Sequence, residues 1–137
     1  MTGSHLRLGA LAATLALGLA SAVPAQSVPL KDVEVIREGI ITAGMVLKID
    51  EQCPSLSLRR LRGLNFLAGL ERTARDLGYS KSQIDAYLND KDEETRLRAV
   101  ALDRLRAKGA VEGDPESFCA VGRAEIAAGS EIGRLLR

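Results

Sequence analysis

Apolar residues along the chain fall into five stretches of helical period separated by helix-breaking punctuation, and no stretch alternates as a strand does. The first runs from about Leu30 to Asp50, with Val33, Ile36, Ile40, Ala43 and Leu47 on one face, and Cys53-Pro54 ends it. The second starts near Ser55 or Ser57, either able to cap it, and continues to Leu77. Leu58, Leu61, Leu64, Ala68 and Leu70 give it a broad apolar side, and Gly78 stops it. Ser80-Lys81-Ser82-Gln83 has capping-box spacing, so a short third helix covers about Lys81 to Leu88, broken by Asn89-Asp90. Asp90, Asp92, Glu93 and Glu94 gather where a helix dipole favours acids. They open a fourth helix over about Lys91 to Lys108, closed by Gly109. Asp114-Pro115 reads as an N-cap followed by a first-turn proline, opening a fifth helix to about Leu136. The pattern predicts an all-α fold, a single compact bundle of about five helices.

Ahead of these stretches the pattern changes. Met1 to Arg7 carries positive charge, and Leu8 to Ala20 is an unbroken run of small apolar residues, too short to span a bilayer. Val23 and Ala25 then supply the small residues a signal peptidase requires at positions −3 and −1. Residues 1–25 are expected to be a signal peptide cleaved after Ala25, with Ala22 as second choice, and residues 26–137 the helical domain. Removing 25 of the 137 residues leaves 112, the size of one domain. Only Arg7 among the basic residues leaves, so Lys+Arg falls from 19 to 18 against 18 Asp+Glu, and the mature chain is formally neutral. No later run is long enough to cross a membrane.

Export changes the reading of Cys53 and Cys119. An even pair in an oxidising compartment points to a bridge. A redox pair or metal ligands are the alternatives, but there is no C-x-x-C spacing and no histidine to complete a zinc site. Cys53 just before the second helix and Cys119 in the first turn of the fifth would pin those two helices side by side. Gly63 and Gly69 in the second helix, with Gly122, Gly129 and Gly133 along one side of the fifth, suit close backbone approach.

Chemistry is sparse. The only histidine, His5, lies in the signal segment, so nucleophile arrangements that need a histidine are unavailable to the mature chain. No phosphate-cradling glycine loop and no haem-attachment motif appears, and no cofactor is expected. Asp90, Asp92 and Glu94 occupy the first, third and fifth places of a possible calcium loop. Thr95 stands where glycine is needed and Ala101 where glutamate is needed, so no metal site is expected.

Two features invite a binding reading. Arg59, Arg60, Arg62, Arg72 and Arg75 crowd the second helix. They form either a solvated face paired with neighbouring acids or a docking surface for an acidic partner or anionic lipid. Nucleic acid is not expected, because no aromatic residues interleave them. Glu125 falls between Gly122 and Gly129 on a packing face. It calls for a buried ion pair, with an arginine of the second helix as the expected partner.

The tail from Asp114 to Ser130, ending Ile132-Gly133-Arg134-Leu135-Leu136, together with Cys53-Pro54-Ser55 and Leu77-Gly78-Tyr79-Ser80, carries a likeness. These segments resemble an uncharacterised family of small exported helical proteins from Rhodobacter-like alphaproteobacteria, a domain of unknown function. The resemblance implies a periplasmic location and supports pairing Cys53 with Cys119; it brings no activity. The resulting expectation is a non-enzymatic periplasmic accessory or interaction protein, acting on another periplasmic or membrane-associated protein. An acid-activated holdase chaperone is the alternative, since protonating the carboxylates of a neutral chain leaves strong positive self-repulsion. A carboxylate-dependent enzyme or small-ligand binder comes third.

Overall fold

Capping chemistry decides where most of the helices begin. The computed structural model describes residues 28–137, so the expected signal peptide and its cleavage after Ala25 lie outside the described residues. A 3-10 turn, Leu30–Asp32, is followed by α1 (Glu34–Gln52), α2 (Arg60–Asp76), α3 (Lys81–Leu88), α4 (Lys91–Ala107), α5 (Pro115–Ala128) and α6 (Glu131–Leu135). Ser80 and Gln83 close a reciprocal capping box on α3, and Asp90 accepts the Asp92 and Glu93 N–H groups at the start of α4. Asp114 caps α5 with Pro115 in its first turn. The fold is all-α.

Three boundaries differ from the pattern-based expectation. Val33 is extended and separates the 3-10 turn from α1. Neither Ser55 nor Ser57 caps α2, because residues 53–59 are held out of helical conformation. Ser57 exchanges backbone hydrogen bonds with Arg137 (2.9 Å each way), and the Arg59 N–H donates to Leu135 O (2.8 Å). The expected fifth helix is two: Gly129 takes a left-handed φ of 61°, and Ser130 then caps α6 by accepting the Gly133 N–H at 3.0 Å.

α1 is the central element, packed by α2, α4, α5 and α6. Its most buried residues are Ile41, Met45, Val46 and Ile49, which meet Leu97, Ala101 and Leu105 of α4, Phe118 of α5, and Ile132 and Leu135 of α6 in one core. A smaller cluster, Leu30, Ile36, Ala74, Tyr79 and Ile84, closes the other end. The face expected to be core is displaced. Ile40 and Ala43 are half-buried and Leu47 is 48 % exposed, so α1 carries a second apolar stripe beside the buried one.

The Cys53–Cys119 disulfide forms, with both residues inside the core. Cys53 is the C-cap of α1, so the bridge ties the end of α1 to α5 and not α2 to α5 as expected. Two glycines explain the tight packing around it. A methyl group on Gly122 would overlap Leu56, and one on Gly133 would overlap the Glu125 backbone carbonyl, which fixes α6 against α5. No helix among the described residues is long and apolar enough to cross a membrane.

Candidate functional site

α2 is the element least consumed by the core. Of its seventeen residues only Ala74 is fully buried. Leu61 and Leu64, expected to face inward, are 72 % and 66 % exposed, and Leu67 is half-covered. Single exposed leucines are ordinary, but a contiguous apolar patch is not. Leu64 and Leu67 form one side of such a patch. α2 and α4 each pack on α1 but scarcely touch one another, which leaves the second stripe of α1 uncovered between them.

The result is an open groove. Ile40, Ala43, Gly44 and Leu47 form its floor at positions i, i+3, i+4 and i+7 of α1, and Leu64 and Leu67 form the α2 wall. Tyr87 and Leu88 at the end of α3, with Leu97 of α4, form the opposite wall. Three adjoining pockets of ≈ 230, ≈ 300 and ≈ 410 Å³ make up the groove, and all three share Leu67. The groove follows α1 from Ile36 to Asp50, about 21 Å at the helical rise, the length of a four-turn helix.

Its polar groups are few and mostly satisfied. Glu93 is held below the usual carboxylate range by hydrogen bonds from Arg96 at 2.6 and 2.8 Å, against the opposing effect of burial. Glu94 is lowered likewise by Lys91 and Arg98. The exception is the Tyr87 hydroxyl, which is buried and has no hydrogen-bond partner among the described residues. Burial first, and the nearby Glu93 charge second, raise its pKa.

The five arginines singled out in the second helix do not form one surface. Arg75 pairs with Glu71 within α2. Arg72 stands twelve residues along from Arg60, about 18 Å at the helical rise. Arg59, Arg60 and Arg62 stay together, and the tail brings Arg134 and Arg137 beside them. Arg59 Nε donates to Leu136 O (2.7 Å), Arg62 to Arg134 O (3.1 Å), and Arg137 Nε to Ser57 Oγ (3.3 Å). Arg60 lines the groove end nearest this corner. Glu125 is paired, but with Lys108 at 2.7 Å and the Ser130 hydroxyl at 2.5 Å, not with an arginine of α2. Burial raises its pKa and those two contacts more than offset it, so it ends lowered. Asp90 is taken up in capping α4, and Glu93 and Glu94 in ion pairs.

Residues 28–137 match the model of a family of unknown function, DUF5333. The chain belongs to that family. No curated protein and no solved structure matches it. The match begins where the described fold begins, so every groove residue and all five corner arginines lie within the DUF5333 domain.

Apolar period places four of the groove residues, Ile40, Ala43, Leu47 and Leu64, on inward faces; it gives no signal for Gly44, Leu67, Tyr87 or Leu97. The available signal was excess. α1 has apolar residues around more of its circumference than one packing face needs.

Proposed function

We propose that this protein is a non-enzymatic accessory protein of the periplasm that holds an amphipathic helix of a partner protein in the groove over α1. One observation carries the reading: Leu47, Leu64 and Leu88, from three different helices, are 48 %, 66 % and 57 % exposed and border one continuous groove. A groove of helix length, floored by a stripe at i, i+3, i+4 and i+7, suits helix-in-groove recognition. A small-ligand site would gather more converging polar groups than this groove offers. A second copy of the chain is a poorer occupant. A two-fold contact through α2 would bring two sets of its arginines, Arg60 and Arg72 in no ion pair, to one interface. The periplasmic assignment rests on the disulfide, which persists in oxidising compartments, and on the signal-like N-terminal sequence. The non-enzymatic assignment rests on the lack of histidine after His5 and on the ion pairs that occupy Glu93 and Glu94 beside the groove.

The test is in-cell photo-cross-linking from positions 64 and 88, with position 111 as the control. Leu64 and Leu88 border the groove; Val111 is equally exposed but lies on the loop before α5. The expected result is cross-links from 64 and 88 to a single segment whose apolar residues recur three and four apart, with none from 111. Equal capture from all three positions would overturn the reading. So would cross-links that join only two copies of this chain.

One observation favours the holdase as a second reading. Glu38–Arg104 joins α1 to α4 and Glu125–Lys108 joins α5 to the end of α4, so two interhelical ties depend on ionised carboxylates. Protection of an aggregating client at pH 3 and not at pH 7 would support it, and irreversible precipitation in acid would remove it.

A further inference from the structure

The groove is closed to charge along most of its length and open to it at one end. Most lysines and arginines of the described residues sit within 4.0 Å of a carboxylate, Arg96 on Glu93, Arg98 on Glu94 and Arg104 on Glu38 among them. Arg59, Arg60, Arg62, Arg134 and Arg137 have no such partner, and the fold gathers all five at the corner where α2 begins and the tail ends. Asp50 lines the same groove end as Arg60 and accepts the Leu58 N–H at 2.7 Å, with no arginine within 4.0 Å of it. α2 starts at this corner without a side-chain cap and without an acid in its first turn, so its dipole adds to the positive charge.

The arginines are also held in place. Arg59 and Arg62 each spend an N–H group on a tail carbonyl, which fixes the guanidinium and leaves its other donors unused. A planar, anchored guanidinium with free donors is suited to bidentate binding of a carboxylate. Five arginines against the carboxylates of Asp50 and of the terminal residue Arg137 leave the corner net positive, and incoming carboxylates relieve that repulsion.

We infer that this arginine corner receives an acidic stretch of the same polypeptide whose apolar helix fills the groove. The inference rests on the groove reading and extends it to the partner's chemistry: a helix of about four turns with one apolar stripe, continued at one end by several Asp or Glu residues. An anionic bilayer would also be attracted to the arginines. It is the poorer fit, because the apolar residues next to the corner line a concavity that a flat membrane surface does not fill.

The experiment uses the disulfide-intact protein and two labelled peptides. Both carry leucines at i, i+3, i+4 and i+7 over fourteen residues; one ends in four glutamates and the other in four lysines. Binding is read by fluorescence anisotropy at low and high salt, and vesicles containing phosphatidylglycerol are offered separately. The expected result is tighter binding of the glutamate-ended peptide, by about tenfold at low salt, with the advantage shrinking as salt rises. The triple variant Arg60→Gln, Arg134→Gln, Arg137→Gln keeps the Arg59 and Arg62 contacts to the tail and so leaves the corner folded. In it the two peptides should bind alike, while Leu67→Gln should weaken both. Equal binding of both peptides to the unaltered protein, with Leu67→Gln still weakening them, would overturn this inference and leave the groove reading standing. Glutamate preference that the triple variant removes but Leu67→Gln does not affect would keep the acidic partner and overturn the groove. No binding of either peptide, with arginine-dependent capture by the vesicles, would overturn both.

Discussion

Gly133 and Gly69 look alike in the sequence and differ in what surrounds them. At Gly133 a Cβ would run into the Glu125 backbone carbonyl, which cannot yield without moving α5 away from α6. At Gly69 the nearest heavy atom is an Arg72 nitrogen at 3.7 Å. Gly133→Ala should therefore destabilise the protein by about 2 kcal/mol, and Gly69→Ala should stabilise it by about 1 kcal/mol through helix propensity. Urea unfolding of the two variants checks both signs. Tyr87 supplies another contrast. Its orphaned hydroxyl costs desolvation in the isolated protein, so Tyr87→Phe should raise stability by about 1 kcal/mol. A fall in stability would mean that the hydroxyl has a partner. At this scale the sequence was informative wherever a residue type has one dominant use. The capping box at Ser80, the proline start at Pro115 and the pairing of Cys53 with Cys119 were all legible. The partner of Glu125 was not, because Lys108 comes near it only through the turn at Gly109 and the packing of α5, which no local pattern encodes.

α2 shows how far an element can be legible while its packing is not. Its amphipathic period was plain, and its end at Gly78 follows from glycine chemistry. Yet its inward side buries one residue fully, and its anchors are the half-buried Phe66 against the main core, the Leu70 side chain against Gly39 and the arginine bonds to the tail. Helical period says which residues share a face and does not say whether another element of the same chain covers it. The split between α5 and α6 was missed for a different reason: apolar period continues through Gly129-Ser130, and only the left-handed glycine and the new serine cap interrupt it. The disulfide belongs to this scale as well, since it fixes the end of α1 to α5 across a separation of 66 residues. Closing a loop of that length restricts the unfolded chain, so reduction should lower stability by about 4 kcal/mol. Urea unfolding with and without reductant measures it, and a shift under about 1 kcal/mol would contradict the entropic account.

Across the whole molecule the ion pairs set a pH dependence with a definite sign. The Glu38 carboxyl is lowered chiefly by its hydrogen bond from Arg104. Burial raises Glu125, but Lys108 and Ser130 bring it below the usual 4.5. A carboxyl lowered in the folded state contributes stability that is present above its unfolded value and lost as pH falls through its folded value. Stability should therefore hold from pH 7 to about 5 and decline below about 4.5, and the double variant Glu38→Gln, Glu125→Gln should flatten that decline. Thermal melts across this range provide the check. The fold class and its bridge could be read from pattern and composition. The groove could not, because it arises from what α1, α2 and α4 leave uncovered together. The direct test of the groove is methyl NMR of the leucine-labelled, disulfide-intact protein during titration with the glutamate-ended peptide. The account predicts shifts confined to the groove leucines, Leu47, Leu64, Leu67, Leu88 and Leu97 foremost, with the core methyls of Leu105 unmoved. Shifts spread through the core, or none at the groove leucines, would contradict it.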